Sequence, residues 1–399
     1  MSVIDGLRSV PFMARSISLL VLLAATLLGP VTPAAAATLT PVSGFGSNPG
    51  NLSMYSYRPD GLPSGAPLVV AFHGCGQTAT EYFTNSGWRK YADLWRFALV
   101  LPQTSSANNS SSCFNWFEPG DQSRGQGEAL SVKQMVDHAV ANVGVDAGRV
   151  FVTGLSAGGA MTAVMLAAYP DVFRGGAVIA GIAYKCATTL TAGVLCLSQR
   201  QNRTPQQWGD LARGAFPGYA GRRPVVSIWY GTNDYTVATF NADQLRDQWT
   251  NVNGVGQSPT GTQALPGNTV REDYGATVQV YRVSGIGHGT PVDPGGATDQ
   301  CGTAGAYFLD SICSSFHIGR SWGLDGGVTP PTDPPTTPPA PVCVRASNWA
   351  HVRDGRAHDV LGSTYANGSD QAMGLTNVFV THTLRQTGPN FWVLADSGC

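Results

Sequence analysis

Gly154-Leu155-Ser156-Ala157-Gly158 decides how this chain is read. Arg149-Val150-Phe151-Val152-Thr153 precedes it with mostly apolar, β-branched residues, and Ala160-Met161-Thr162-Ala163-Val164-Met165-Leu166-Ala167-Ala168 comes after it with helix formers. The pattern predicts strand, tight turn and helix, with Ser156 at the apex. Glycines flank such a turn because no side chain fits between the strand and the helix, and the serine hydroxyl is left over the sheet edge. G-x-S-x-G also arises by chance in a chain with 49 glycines, so its surroundings carry the reading.

Outward from the turn, the same alternation repeats. Leu68-Val69-Val70-Ala71-Phe72-His73 is a buried-strand pattern, and Thr80 to Trp95 reads as a helix. Phe97 to Pro102 is a strand, Ser105 to Gln122 a polar loop, and Gly127 to Val143 a helix with Leu130, Met135, Val136, Ala139 and Val140 on one face. After the turn come strands at Gly176–Ala180, Pro224–Tyr230 and Thr277–Val283, a helix at Ala242–Thr250 and a closing helix at Ala304–Phe316. Apolar strands alternating with helices predict an α/β fold whose parallel sheet is covered on both faces. Functional groups then belong at the carboxyl ends of strands, where His73, Ser156, Asp234 and His288 all fall.

A serine hydroxyl is a weak nucleophile. It needs an imidazole to take its proton and a carboxylate to orient that imidazole. Ser156, Asp234 and His288 supply these in the chain order serine, acid, histidine. Asp234 is preferred over Asp210 and Asp243 because it directly succeeds a buried strand; the competing role is a turn aspartate. For His288 the competing role is a loop histidine. His138 lies inside a helix, His317 near the last one, and His351, His358 and His382 beyond a proline-rich stretch, so none is chosen. Acyl transfer also requires oxyanion donors. The backbone N–H of Ala157 is one, and that of Cys75 in His73-Gly74-Cys75-Gly76 is the other, with His73 supporting the loop.

Met1 to Ala37 reads as a signal for export: Arg8 and Arg15, an apolar core from Ile17 to Leu28, then Ala34-Ala35-Ala36-Ala37 as small cleavage residues. A secreted, extracellular chain is expected. Its eight cysteines then read as disulfides. Proximity suggests Cys186–Cys196 and Cys301–Cys313, Cys343 and Cys399 bracket the C-terminal segment, and Cys75–Cys113 remains; other pairings stay open. A thiol nucleophile at Cys75 fits such a compartment poorly. No spacing suggests a metal site, and no cofactor is expected. Net charge is −1 and charged residues make up 12% of the chain, so neither nucleic acid nor a membrane is an expected partner, and a monomer is expected. Thr329 to Pro341 is a stiff Pro/Thr linker, so the expected division is 1–37 signal, 38–325 catalytic domain, 326–341 linker and 342–399 a small β-rich module.

His73-Gly74-Cys75-Gly76-Gln77, Gly154-Leu155-Ser156-Ala157-Gly158-Gly159-Ala160-Met161, Gly231-Thr232-Asn233-Asp234 and Gly287-His288-Gly289 resemble extracellular poly(3-hydroxybutyrate) depolymerases, which share most of this set with feruloyl and acetylxylan esterases. Beyond the linker, Asn348-Trp349-Ala350-His351-Val352, Gly355-Arg356-Ala357-His358, Tyr365-Ala366-Asn367-Gly368-Ser369 and Met373-Gly374-Leu375-Thr376-Asn377 resemble the polyester-binding domain of those depolymerases. His73 preceding Ser156 matches the form of the family whose oxyanion-loop histidine comes before the serine motif. The resemblance implies an α/β-hydrolase fold, ester hydrolysis through Ser156, and an insoluble polyester surface as partner. Trp116 is a candidate for the chain-binding cleft and Trp349 and Tyr365 for adsorption, with Phe117, Phe379, Phe391 and Trp392 beside them; module or disulfide core is the competing role for each. The alternative is a feruloyl or acetylxylan esterase with a carbohydrate-binding module.

Overall fold

The computed structural model describes residues 37–327, 342–388 and 391–398. The expected export signal, nearly all of the expected linker, and Cys399 with its expected bridge to Cys343 lie outside the described residues.

Continuous apolar runs bury both faces of a strand, so they occupy the centre of a sheet. Ten strands form one sheet: β1 (Thr40–Val42), β2 (Ser53–Tyr57), β3 (Ala66–Phe72), β4 (Ala98–Gln103), β5 (Val145–Leu155), β6 (Gly175–Ile179), β7 (Val225–Gly231), β8 (Gly261–Leu265), β9 (Thr269–Tyr274) and β10 (Val278–Val283). Their spatial order is β1-β2-β4-β3-β5-β6-β7-β10-β9-β8. The stretch from β4 to β10 is parallel, as expected. Both edges are antiparallel, a departure from the all-parallel expectation. β1 and β8 are short and mostly solvent-facing, and so lack the apolar run that announces a central strand.

The helices are α1 (Ala79–Asn85), α2 (Trp88–Trp95), α3 (Gly127–Val143), α4 (Ala157–Ala168), α5 (Leu190–Ser198), α6 (Pro205–Arg213), α7 (Phe240–Val252) and α8 (Ser314–Ser321). α3 has the expected bounds. The single helix expected over 80–95 is two, broken at Ser86-Gly87. Gly87 has φ +86°, and a Cβ there would lie 2.3 Å from Cys301 Sγ, so the close approach of a disulfide-linked loop ends the helix. The helix expected over 304–316 is also corrected. The strands β11 (Thr290–Val292) and β12 (Phe308–Asp310) pair there, and the helix starts only after the Cys301–Cys313 bridge. Cys75–Cys113 and Cys186–Cys196 are also bridged, as expected.

Register positions the site. Phe72 pairs with Gly154, Leu155 with Ile179, Ile179 with Trp229, and Gly231 with Val283. The ends of β3, β5, β7 and β10 are therefore level, and the loops that leave these strands emerge at one sheet edge.

Residues 342–388 and 391–398 build two three-stranded sheets and the helix α9 (Asn348–Arg353). One sheet joins β13 (Cys343–Ser347), β17 (Thr381–Gly388) and β18 (Phe391–Leu394); the other joins β14 (Ala357–Val360), β15 (Ser363–Ala366) and β16 (Ala372–Leu375). Ala357, Ala366, Met373, Leu384 and Trp392 form its small core. Among the described residues of the whole chain, no helix is long and apolar enough to cross a membrane.

Candidate active site

Ser156 sits between the end of β5 and the start of α4 with φ 57° and ψ −116°. A left-handed conformation costs a non-glycine residue about 1–2 kcal/mol, so the surroundings must hold it. They do so by close packing. The Ser156 N–H donates to the Ile179 carbonyl at 2.9 Å. A Cβ at Gly154 would lie 2.5 Å from the Gly158 carbonyl oxygen, and one at Gly158 2.5 Å from that of His73. Both glycines are thus required by contact.

His288 and Asp234 come from the loops after β10 and β7. These loops are tied together: Thr232 N–H donates to Val283 O and Asn233 N–H to Ile286 O, each at 3.0 Å. The His288 Nδ1 lies 2.7 Å from Asp234 Oδ2, with side chains 8% and 1% exposed. Asp234 Oδ1 accepts the N–H groups of Thr236 and Val237 at 2.9 Å each. One carboxylate oxygen is thus fixed by backbone and the other faces the imidazole. Nδ1–H donates to the carboxylate, which leaves Nε2 of the neutral ring as an acceptor. Ser156 and His288 line the same cavity of about 270 Å³ but share no hydrogen bond in this structure. Such contacts are commonly loose until a substrate is bound.

The loop after β3 meets the same cavity through Gly74 and Cys75. His73 is fully buried beneath it. The Thr104 N–H donates to His73 Nε2 at 3.3 Å, so Nδ1 carries the proton and donates to the Gly74 carbonyl at 2.7 Å. Burial holds this imidazole neutral, its pKa pushed down to about 4. The Gly74 N–H is taken by Gln77 Oε1 at 2.8 Å, and Cys75 is bridged to Cys113. Ala157 opens α4, so its N–H is one of the donors that a helix start leaves unpaired. Cys75 and Ala157 line one cavity with Ser156.

Most of the remaining wall is apolar, with Asn109, Ser111 and Thr236 among its polar residues. Trp116 and Phe117 stand edge to face at 5.4 Å, with Ile182, Leu190, Val194 and Leu197 beside them. Trp116 is nearly buried and also lines the cavity. The pattern reading did not anticipate α5, which carries three of these residues; a glycine in mid-segment hides its helical spacing. Nor did it single out Glu128. This residue is buried under the 105–122 loop, and its Oε2 accepts the Asn115 N–H at 2.8 Å. Burial first and then nearby Asp121 push its carboxyl well above the usual range. A glutamate in a first helical turn reads as a cap, so no signal in the sequence marks it. Tyr307, at the mouth of the cavity, was also unmarked.

In the module, Trp349 is exposed, whereas Tyr365 is half-buried and stacks on His358 at 5.9 Å. Trp392 belongs to the core. The most exposed apolar groups are Phe379 at 87%, Leu375 at 65% and Leu361 at 100%. Backbone bonds from Thr376 to Gly362 and from Trp349 to Asn377 gather these residues at one end of the module. Leu361 and Leu375 were missed because an isolated leucine beside a turn looks like core.

Residues 52–274 match the protein family described as Esterase PHB depolymerase. The chain is 52% identical over 310 residues to the poly(3-hydroxyalkanoate) depolymerase C of Paucimonas lemoignei, covering 76% of this chain and 75% of that one. It is 39% identical to an acetylxylan esterase of Coprinopsis cinerea, over 66% of this chain and 72% of the other. Among solved structures it resembles the acetyl xylan esterase from Aspergillus awamori, with a TM-score of 0.60 and 30% identity over 63% of this chain and 94% of that one.

Proposed function

The chain belongs to the PHB-depolymerase esterase family, and from that premise we propose that it hydrolyses the ester bonds of poly(3-hydroxybutyrate) to short oligomers through an acyl-enzyme on Ser156. The observation that carries this reading is the Asp234–His288 pair, 2.7 Å apart and facing the cavity in which Ser156 stands on its strained turn. His288 Nε2 takes the hydroxyl proton as Oγ attacks the ester carbon. Asp234 stabilises the imidazolium that results, and the N–H groups of Ala157 and Cys75 receive the charge on the carbonyl oxygen. His288 then passes its proton to the leaving alkoxide. Water repeats the sequence and frees the acid.

The apolar wall suits a chain of short aliphatic hydroxy acids better than a hydrated sugar. A solid polymer cannot diffuse into a cavity of this size, so the module 342–399 is proposed to hold the enzyme at its surface, raising the local concentration of catalytic domain there. We take 38–325 as the catalytic domain, the enzyme as a secreted monomer, and Trp349 with Phe379, Leu361 and Leu375 as the adsorbing face; Tyr365 contributes through its exposed edge.

Product analysis separates the alternatives. The unsubstituted enzyme, given poly(3-hydroxybutyrate), acetylated xylan and a feruloyl ester, is expected to release hydroxybutyrate oligomers. Release of acetate or ferulate without oligomers would sink the polyester reading and favour the polysaccharide esterase.

A further inference from the structure

Tyr307 occupies a position that an aromatic residue rarely takes. Gly305-Ala306-Tyr307-Phe308 is a tight turn closed by reciprocal backbone bonds, Gly305 N–H to Phe308 O at 2.9 Å and the reverse at 3.1 Å. Tyr307 is its third residue with φ +62°. Glycine or asparagine is favoured there, and a larger side chain costs about 1–2 kcal/mol. The turn is nonetheless firmly held. Thr290 N–H donates to the Tyr307 carbonyl at 2.8 Å, Phe308 is buried beside it, and the Cys301–Cys313 bridge closes the loop. What the strain achieves is placement. Tyr307 is 50% exposed and lines the cavity of Ser156, and its ring stands edge to face against the His288 ring with centroids 6.2 Å apart.

We infer that the Tyr307 ring is the wall against which the alcohol side of the scissile ester packs, so that it fixes the direction in which the chain enters. This rests on the proposed mechanism. His288 must hand its proton to the leaving alkoxide, so the alcohol-side repeat unit has to lie beside His288. Tyr307 is the ring at the cavity mouth on that side. The acyl side then falls toward Trp116, Phe117 and α5. Such a contact is absent for an ester whose alcohol is only methanol.

The test compares a hydroxybutyrate trimer with the methyl ester of 3-hydroxybutyrate, using Tyr307→Ala and Tyr307→Phe in the full chain. Losing a ring contact of about 1.5 kcal/mol corresponds to roughly a tenfold fall. Tyr307→Ala is expected to lower kcat/KM for the trimer about tenfold more than for the methyl ester, mainly through KM, and Tyr307→Phe to restore most of the difference. Equal losses on both esters would mean that Tyr307 merely supports His288, and would overturn the inference. No loss on the trimer, or no rescue by phenylalanine, would overturn it as well. Inactivity of the unsubstituted enzyme on both esters would instead count against the ester-hydrolase reading itself.

Discussion

The molecule presents apolar surface in two opposite ways. Around Ser156 it is concave: Trp116, Phe117 and α5 wall a cavity in which the Asp234 carboxylate and the Cys75 loop are held by backbone and disulfide. At one end of the module it is convex: Phe379, Leu361 and Leu375 project there, each strongly exposed. The first arrangement can position one ester bond for reaction, because orientation demands rigid neighbours. The second can only adsorb, because exposed apolar groups gain by being covered by any flat apolar solid. On the proposed function, neither suffices for a solid substrate, and a solution ester needs only the first.

Substitutions at the concave site should therefore affect soluble and solid substrates alike. Ser156→Ala is expected to lower kcat by about 10⁶-fold on both a soluble ester and a polymer suspension, read by titration and by clearing. Clearing that survives while soluble-ester turnover is lost would break the comparison outright. Asp234→Asn is expected next, at about 10⁴-fold on both, because it removes the carboxylate that sets the His288 tautomer. Circular dichroism of this variant should stay native, since one oxygen remains for Thr236 and Val237.

The convex face should separate the substrates. Leu361→Ser with Phe379→Ser is expected to lower the ratio of polymer clearing to soluble-ester turnover by about 10–100-fold, the loss of one to two apolar contacts. Granule adsorption measured by depletion should fall in parallel. Equal adsorption in the variant would place the docking surface elsewhere.

Legibility in the sequence divides along the same line. The central strands and the Ser156 turn were readable because burial on both faces leaves an unbroken apolar run. Asp234 and His288 were readable because each comes directly after such a run. The edge strands β1, β2, β8 and β9 were not, being partly solvated, and the break at Gly87 depends on Cys301, 214 positions along the chain. Leu361 and Phe379 illustrate the limit. Nothing in a sequence distinguishes an apolar residue that fills a core from one that faces solvent; only the turn geometry around them does. Tyr307 was hidden for a related reason, since its role lies in a backbone conformation that its residue type disfavours.

The smallest expected effect concerns pH. Burial holds His73 and His317 at about 4, below the unfolded value of roughly 6.5. Between these values the unfolded chain binds more protons at the two histidines, so their contribution to stability is full above pH 6.5 and falls as pH drops toward 4. Glu128 acts in the opposite sense: its raised carboxyl favours the folded state at low pH, and that contribution is lost as pH rises through its folded value. Calorimetry from about pH 4 to 9 should show a lower Tm on the acid side, where the two histidines charge on unfolding. Glu128→Gln should remove the loss of stability that accompanies rising pH through the folded value of this carboxyl, and a pH profile of Tm unchanged by the substitution would remove Glu128 from the account.

The central claim is that Ser156 is the nucleophile for both soluble and solid substrates. An organophosphate, applied until labelling is complete and then traced by peptide mass spectrometry, tests it most directly. The account predicts one adduct, on the peptide carrying Ser156, with soluble-ester turnover and polymer clearing lost in the same proportion. An adduct on another residue, or clearing that persists after Ser156 is fully modified, would contradict it.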